Sequence, residues 1–258
     1  MPIKQIKLKV VFLVIVLLVC AGYWYLVQKN TYSISEYLPL HENDVSVYLH
    51  HEGVEKGIVK ITVKNVQPGP HGTKFDFFWE GKYSDRITTC LLTREGLKLV
   101  ENKHLVGQVP LKVVRKYSPA TMMIPAHFNK TAFSITNHLI YDYDSRFLDQ
   151  EQIESLVSFV GKEKVTLIAG NFECLHFFIR HLYKNKNGES IHMHTYDFWI
   201  APGAGVVKQI HTFIPFVYIQ YISPEDKTIN NRYNASFVEV LELIKANIGG
   251  KQIGNQTY

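Results

Sequence analysis

The first thirty residues and the rest of the chain follow different hydrophobic rhythms. Positions 10–27 carry no charged side chain. Eighteen mostly apolar residues at helical rise just cross a hydrocarbon core, so this run predicts one spanning helix. Beyond it, apolar residues alternate with polar ones or gather in short β-branched runs at 45–49, 58–66, 75–79, 87–92, 97–100 and 111–114. Gln67-Pro-Gly-Pro-His-Gly72, Glu80-Gly81-Lys82 and Arg94-Glu95-Gly96 punctuate them as turns, which is the rhythm of antiparallel strands. Residues 117–148, rich in Pro, Asn and Asp, predict a long crossover or loop. Residues 149–159 predict a short helix, with Ile153, Leu156, Val157 and Val160 on one side. Strands return at 165–183 and 191–200 around Asn187-Gly188, a strong hairpin signal, and again at 206–213 after the turn Ala201-Pro-Gly-Ala-Gly205. In that turn Pro fixes one φ and two Gly can take positive φ, which allows a sharp reversal. Periodicity leaves 234–248 open: Phe237, Val240, Leu241, Ile244 and Ile248 fit a helix, while the β-branched content fits a strand. The predicted class is mainly β with minor α: one curved antiparallel sheet with one or more short helices, behind one N-terminal transmembrane helix.

Charge gives that helix a direction. Lys4, Lys7 and Lys9 precede it and only Lys29 follows closely, so the N-terminus stays in the cytoplasm and the remainder is outside. Tyr23, Trp24 and Tyr25 stand where an aromatic belt is expected. The organisation read from this is a basic flank (1–9), a signal anchor (10–27), a linker (28–36) and an extracytoplasmic β-rich domain (37–258). A cleaved export signal and a lipidated Cys20 are the competing readings, although Val19 stands where bacterial lipoproteins carry Gly, Ala or Ser. All three export the domain. Four of the 28 basic residues and none of the 23 acidic ones precede Thr31, which leaves 24 against 23 outside. The basic excess therefore serves topology, and nucleic acid is excluded as a partner. The 15 Tyr and 15 Phe suit strands around one core. Cys90 and Cys174 form the one pair available for a disulfide in the exported part, or else pack as small apolar groups.

Candidate chemistry is sparse. There is no nucleophile elbow, phosphate loop or zinc-protease helix, so the expectation is a binding or scaffolding domain with no catalytic residue and no cofactor. Its partners are the membrane, through the helix, and a hydrophobic ligand or an envelope protein. Phe178, Phe198 and Trp199 are the candidates to line a ligand site. The competing class is a metal-dependent envelope enzyme. Asp142-Tyr-Asp144 has the form of a glycosyltransferase metal motif, and a histidine site would suit a hydrolase. The histidines come from the hairpin. If Asn187 and Gly188 are its loop, Tyr183 pairs with His192, His181 with His194, Ile179 with Tyr196 and Phe177 with Phe198. His181, His192 and His194 then share one face, either as metal ligands on neighbouring strands or as polar cross-strand contacts.

Leu167-Ile-Ala-Gly-Asn-Phe-Glu-Cys174 followed by Phe198-Trp-Ile-Ala-Pro-Gly-Ala-Gly-Val-Val-Lys208 resembles the "AGTFEC … YWYAPGVGLVK" hallmark of a group of uncharacterised bacterial envelope proteins, many of them lipoproteins. Tyr37-Leu-Pro-Leu40 with residues 45–48 is similar to the segment that opens them. The group resembles the half-barrel of the LolA and LolB lipoprotein carriers. That resemblance implies an open, curved sheet whose concave face holds an acyl chain, with a final strand at 237–244.

Overall fold

The computed structural model describes residues 16, 18, 34–38, 40–81, 85–106, 111–126, 131–142, 146–216 and 236–254. One helical turn, α1 (Ile34–Tyr37), precedes β1 (Val45–Glu52), β2 (Glu55–Gly69), β3 (Gly72–Gly81), β4 (Asp85–Thr93), β5 (Gly96–Val106), β6 (Leu111–Pro125), β7 (Ala132–Asp142), β8 (Phe147–Leu167), β9 (Gly170–Lys184), β10 (Ser190–Ala201), β11 (Gly205–Pro215), β12 (Phe237–Ile248) and β13 (Lys251–Gly254). Each strand pairs with the next, and β1 also pairs with β12. All of these pairings are antiparallel. Twelve strands therefore close into a barrel, and β13 folds back as a flap on the last turns of β12.

The sheet is not the half-barrel expected. β12 uses one edge for β11 over Phe237–Glu242 and the other for β1 over Glu239–Asn247, so among the described residues each of the twelve barrel strands is paired on both sides. The segment 149–159, expected as a helix, belongs to the long strand β8, and the expected crossover at 117–148 contains most of β6 and all of β7. Inside the barrel β8 presents Glu151, Ile153, Ser155 and Val157, all buried. Two of these four are polar, so the apolar residues that remain mimic a helical spacing. The segment 237–244 is strand, as the resemblance implied. Cys90 and Cys174 are both buried and unbridged, packed in two different apolar clusters.

The inner face is layered along the barrel axis. At one end α1 closes the lumen: Ile34, Tyr37 and Leu38 are buried against Val63, Phe75 and Leu99, and Gly203 N donates to Glu36 O at 3.0 Å. Ile34, on the linker side of the predicted boundary, is thus part of the core. Phe177, Ile179 and Val157 are fully buried in this half. The outer wall carries cross-strand ion pairs such as Lys60–Glu80 at 2.7 Å and Lys208–Glu242 at 2.9 Å. Among the described residues no helix is long and apolar enough to cross a membrane. The predicted span at 10–27 lies outside them apart from Val16 and Leu18, which are helical.

Two turns set the register of the site. In Ala201-Pro-Gly-Ala-Gly205 both Gly203 (φ 69°) and Gly205 (φ 75°) take the positive φ that the turn requires. The β9–β10 hairpin is a three-residue loop rather than the two-residue loop expected. Gly188 N donates to Asn185 O at 2.9 Å, Asn185 N donates to Glu189 O at 2.9 Å, and Gly188 stands at φ 81°. That loop alone would slip the strands by one residue, but a bulge at Ile191 restores them. From there on His192 faces Tyr183, His194 faces His181 and Phe198 faces Phe177.

Candidate functional site

The lumen holds a cavity of about 200 Å³. It runs from Leu38 and Leu40 behind α1 to Arg86, Asn102 and Tyr196 near mid-height, with Phe77, Trp79 and Phe198 among its walls. Among the described residues Arg86 is its one cationic group. The guanidinium lies 3.8 Å over the Trp79 ring. Burial pulls its pKa down against the opposing field of Glu239. Among the described residues no carboxylate comes within ion-pair distance of it. A guanidinium has five N–H donors, and here they face a largely apolar chamber.

Above the cavity, toward the β9–β10 and β11–β12 loops, the inner face turns to histidine, tyrosine and carboxylate. Tyr183 stacks on His192 at 4.3 Å and Tyr117 on His138 at 4.9 Å. His138 Nδ1 donates to Glu151 Oε2 at 2.8 Å, and Ser155 Oγ is hydrogen-bonded to His181 Nδ1 at 2.8 Å. A carboxylate only accepts, so the contact of His211 Nδ1 with Glu239 Oε2 at 2.9 Å places the proton on that nitrogen. His211 Nε2 then accepts from His194 Nδ1 at 2.8 Å. Burial depresses these rings: His181 and His192 fall to about 4 and His104 to about 3, and His194 drops well below its ordinary value. For His192 the Glu151 charge opposes burial, while Arg115 and His138 add to it. Glu239 goes the other way: burial would raise its pKa, but the hydrogen bond from His211 holds the carboxyl below its ordinary range. His138 Nε2, His181 Nε2, His192 Nδ1 and Asn102 Oδ1 are buried without a protein hydrogen bond. Buried polar atoms of this kind call for water or a polar ligand group.

The sequence candidates divide between the two faces. Phe198 lines the cavity. Trp199 follows it along the strand and so points to the opposite face, where it stacks on His176 at 4.3 Å and its Nε1 donates to Glu163 at 2.8 Å. Phe178 lies between the fully buried Phe177 and Ile179, and it too faces outward. His181, His192 and His194 share the inner face, and the rings of His192 and His194 are 5.1 Å apart. Among the described residues the group whose ligand atoms all come within 4.8 Å of one another is a different one: His50, Glu52 and Glu239. Sequence reasoning missed this group, and its one local signal was His50-x-Glu52, two like-facing donors on a strand. In Asp142-Tyr-Asp144, residues 143 and 144 lie outside the described residues.

No protein-family model matches the chain, and no curated protein does. Two solved structures are similar to it. One is a Bacteroides fragilis protein described as exported and as having a YmcC-like fold (15% identity, 80% of this chain and 95% of that one, TM-score 0.42). The other is a Parabacteroides distasonis protein described as a lipoprotein (15% identity, 80% and 96%, TM-score 0.40). At this level of similarity neither transfers an activity, a ligand or a compartment to this chain.

Proposed function

We propose that this chain is a membrane-tethered, extracytoplasmic binding barrel of the bacterial envelope, without chemistry of its own, that takes up an amphipathic molecule with an apolar body and an anionic head. The observation that carries this reading is the lumenal cavity, apolar along most of its wall and furnished with the half-buried guanidinium of Arg86. A ligand carboxylate or phosphate would relieve the burial cost of that charge, and its body would occupy the space beside Phe77, Phe198 and Leu38. Common ligand pockets span roughly 300–1,000 Å³, so about 200 Å³ suits a single chain or a small ring. A bulkier occupant needs α1 to move. The tether rests on the basic flank and the apolar run of the N-terminus. Six residues (28–33) separate that run from α1, and six residues reach at most about 20 Å. The plugged end of the barrel therefore faces the bilayer in this reading.

Two measurements test it. A reporter fused after Tyr258 is expected to be active only on the outer side of the membrane; activity in the cytoplasm ends the topological reading. The purified full-length chain is expected to release an acidic amphiphile on solvent extraction and mass spectrometry, and to bind an anionic acyl probe better than its neutral ester. Arg86→Ala should weaken the anionic probe about tenfold or more, the worth of a charge-assisted hydrogen bond, and leave the ester unchanged. Equal binding of both probes by both proteins, or no uptake of either, refutes the proposal.

A further inference from the structure

A second site lies at the loop end of the barrel, on the inner face where β1 meets β12. Glu52 and Glu239 are direct cross-strand partners. Their side chains therefore lie on one face of the sheet, directly opposed across the strand pair. His50 projects from the same face of β1, two residues before Glu52, and is buried. Its Nε2 lies 3.9 Å from Glu239 Oε1, beyond hydrogen-bond reach but close to the separation of two ligands that share one ion at about 2.1 Å each. Glu52 completes the group, since its oxygen and the ligand atoms of the other two residues all lie within 4.8 Å of one another. The other oxygen of Glu239 is already held: Oε2 accepts from His211 Nδ1 at 2.9 Å, and His211 is held in turn by His194. This outer support orients a metal-binding carboxylate and leaves its inner oxygen free.

We propose that His50, Glu52 and Glu239 form a binding site for one divalent transition-metal ion at the loop end of the lumen. One imidazole nitrogen and two carboxylate oxygens suit zinc or manganese, whereas magnesium and calcium favour all-oxygen sets. Three protein ligands leave coordination positions open toward the lumen, for water or a ligand oxygen. The site is independent of the cavity reading, since neither His50 nor Glu52 lines the cavity.

The test is calorimetric titration of the chelator-stripped, full-length chain with zinc alone, then with manganese and magnesium. One equivalent of zinc is expected at micromolar Kd or tighter, with a rise in melting temperature and magnesium at least tenfold weaker. Glu52→Gln is the main variant: it is nearly isosteric and sits at the half-buried rim, so the barrel keeps its fold. It and Glu239→Gln should each weaken zinc at least tenfold and abolish the thermal shift, while His181→Ala should change the affinity less than twofold. No stoichiometric uptake, or uptake unchanged by Glu52→Gln, overturns the proposal. So does uptake lost in His181→Ala and kept in Glu52→Gln, which would move the ion to the histidine trio on β9 and β10.

Discussion

Between pH 6.5 and pH 4 the metal-free barrel is expected to lose most of its stability, at about 1.4 kcal/mol per pH unit for each histidine that stays neutral when folded and charges when unfolded. Burial holds the folded His181 and His192 near 4 and His104 near 3, while the unfolded rings titrate near 6.5. In that interval the unfolded chain binds protons that the folded chain refuses, so stability rises with pH and is lost as pH falls. Three histidines give a slope of about 4 kcal/mol per pH unit near pH 5, and His194 steepens it further. An ordinary domain has about 5–15 kcal/mol in all, so acid unfolding should be complete before the carboxylates begin to protonate. Glu151 and Glu239 have folded pKa values below the usual range; their contribution is present above about 4.3 and is lost only below it. Urea unfolding at a series of pH values measures the slope directly. His192→Phe keeps a ring beside Tyr183 and removes one proton site with its unpartnered Nδ1, so it should lower the slope by about 1.4 kcal/mol per pH unit. A stability curve that is flat from pH 7 to pH 5 would contradict the buried neutral layer.

That layer also explains which parts of the fold were legible in the sequence. The β9–β10 hairpin could be read because its inner face is signalled at both ends: Phe177 and Ile179 are apolar where they meet Tyr196 and Phe198, and Asn187-Gly188 marks the turn. β8 and β7 could not, because the positions that face the lumen include Glu151, Ser155, Thr136 and His138, all buried. A reading that equates inward with apolar sees loop and helix there. Glu151 and Ser155 are tolerated because the neighbouring strands supply partners, His138 of β7 and His181 of β9. Those pairs are 13 and 26 residues apart in sequence and leave no local mark. Closure is less visible still: β1 and β12 join residues such as His50 and Leu241, and either strand alone reads as an ordinary edge. Phe198 and Trp199 looked equivalent by residue type, yet neighbours on a strand point to opposite faces and only one can line a lumen. Arg86 carried no signal at all, since β4 alternates apolar and small polar residues on both faces, and only closure decides which face is inside.

Weakening the plug is expected to have the other large effect. Ile34, Tyr37 and Leu38 are 5%, 8% and 5% exposed, although they belong to, or directly follow, a single helical turn that could not hold its shape alone. Their order comes from the lumen they fill. Twelve strands enclose more space than the roughly eight-stranded barrels that side chains fill unaided. Replacing Leu38 and Tyr37 together by Ala removes two of the three buried side chains and adds their volume to the cavity that Leu38 lines. At about 2–5 kcal/mol for each large-to-small change, the double variant should lose about 5 kcal/mol in urea unfolding of the full-length chain, with a correspondingly large fall in Tm. The strand ladder does not run through α1, so the barrel itself should persist at low temperature with its far-ultraviolet spectrum intact. What changes is access: an anionic acyl probe should enter the variant at least tenfold faster, and it should accept longer chains than the parent protein does. A Tm unchanged within about 1 °C would mean that α1 does not stabilise the lumen, and an unchanged entry rate in a destabilised variant would mean that ligands pass through the loop end instead. Both results together would separate the plug from the cavity altogether, leaving the buried positions of Ile34, Tyr37 and Leu38 without an energetic role.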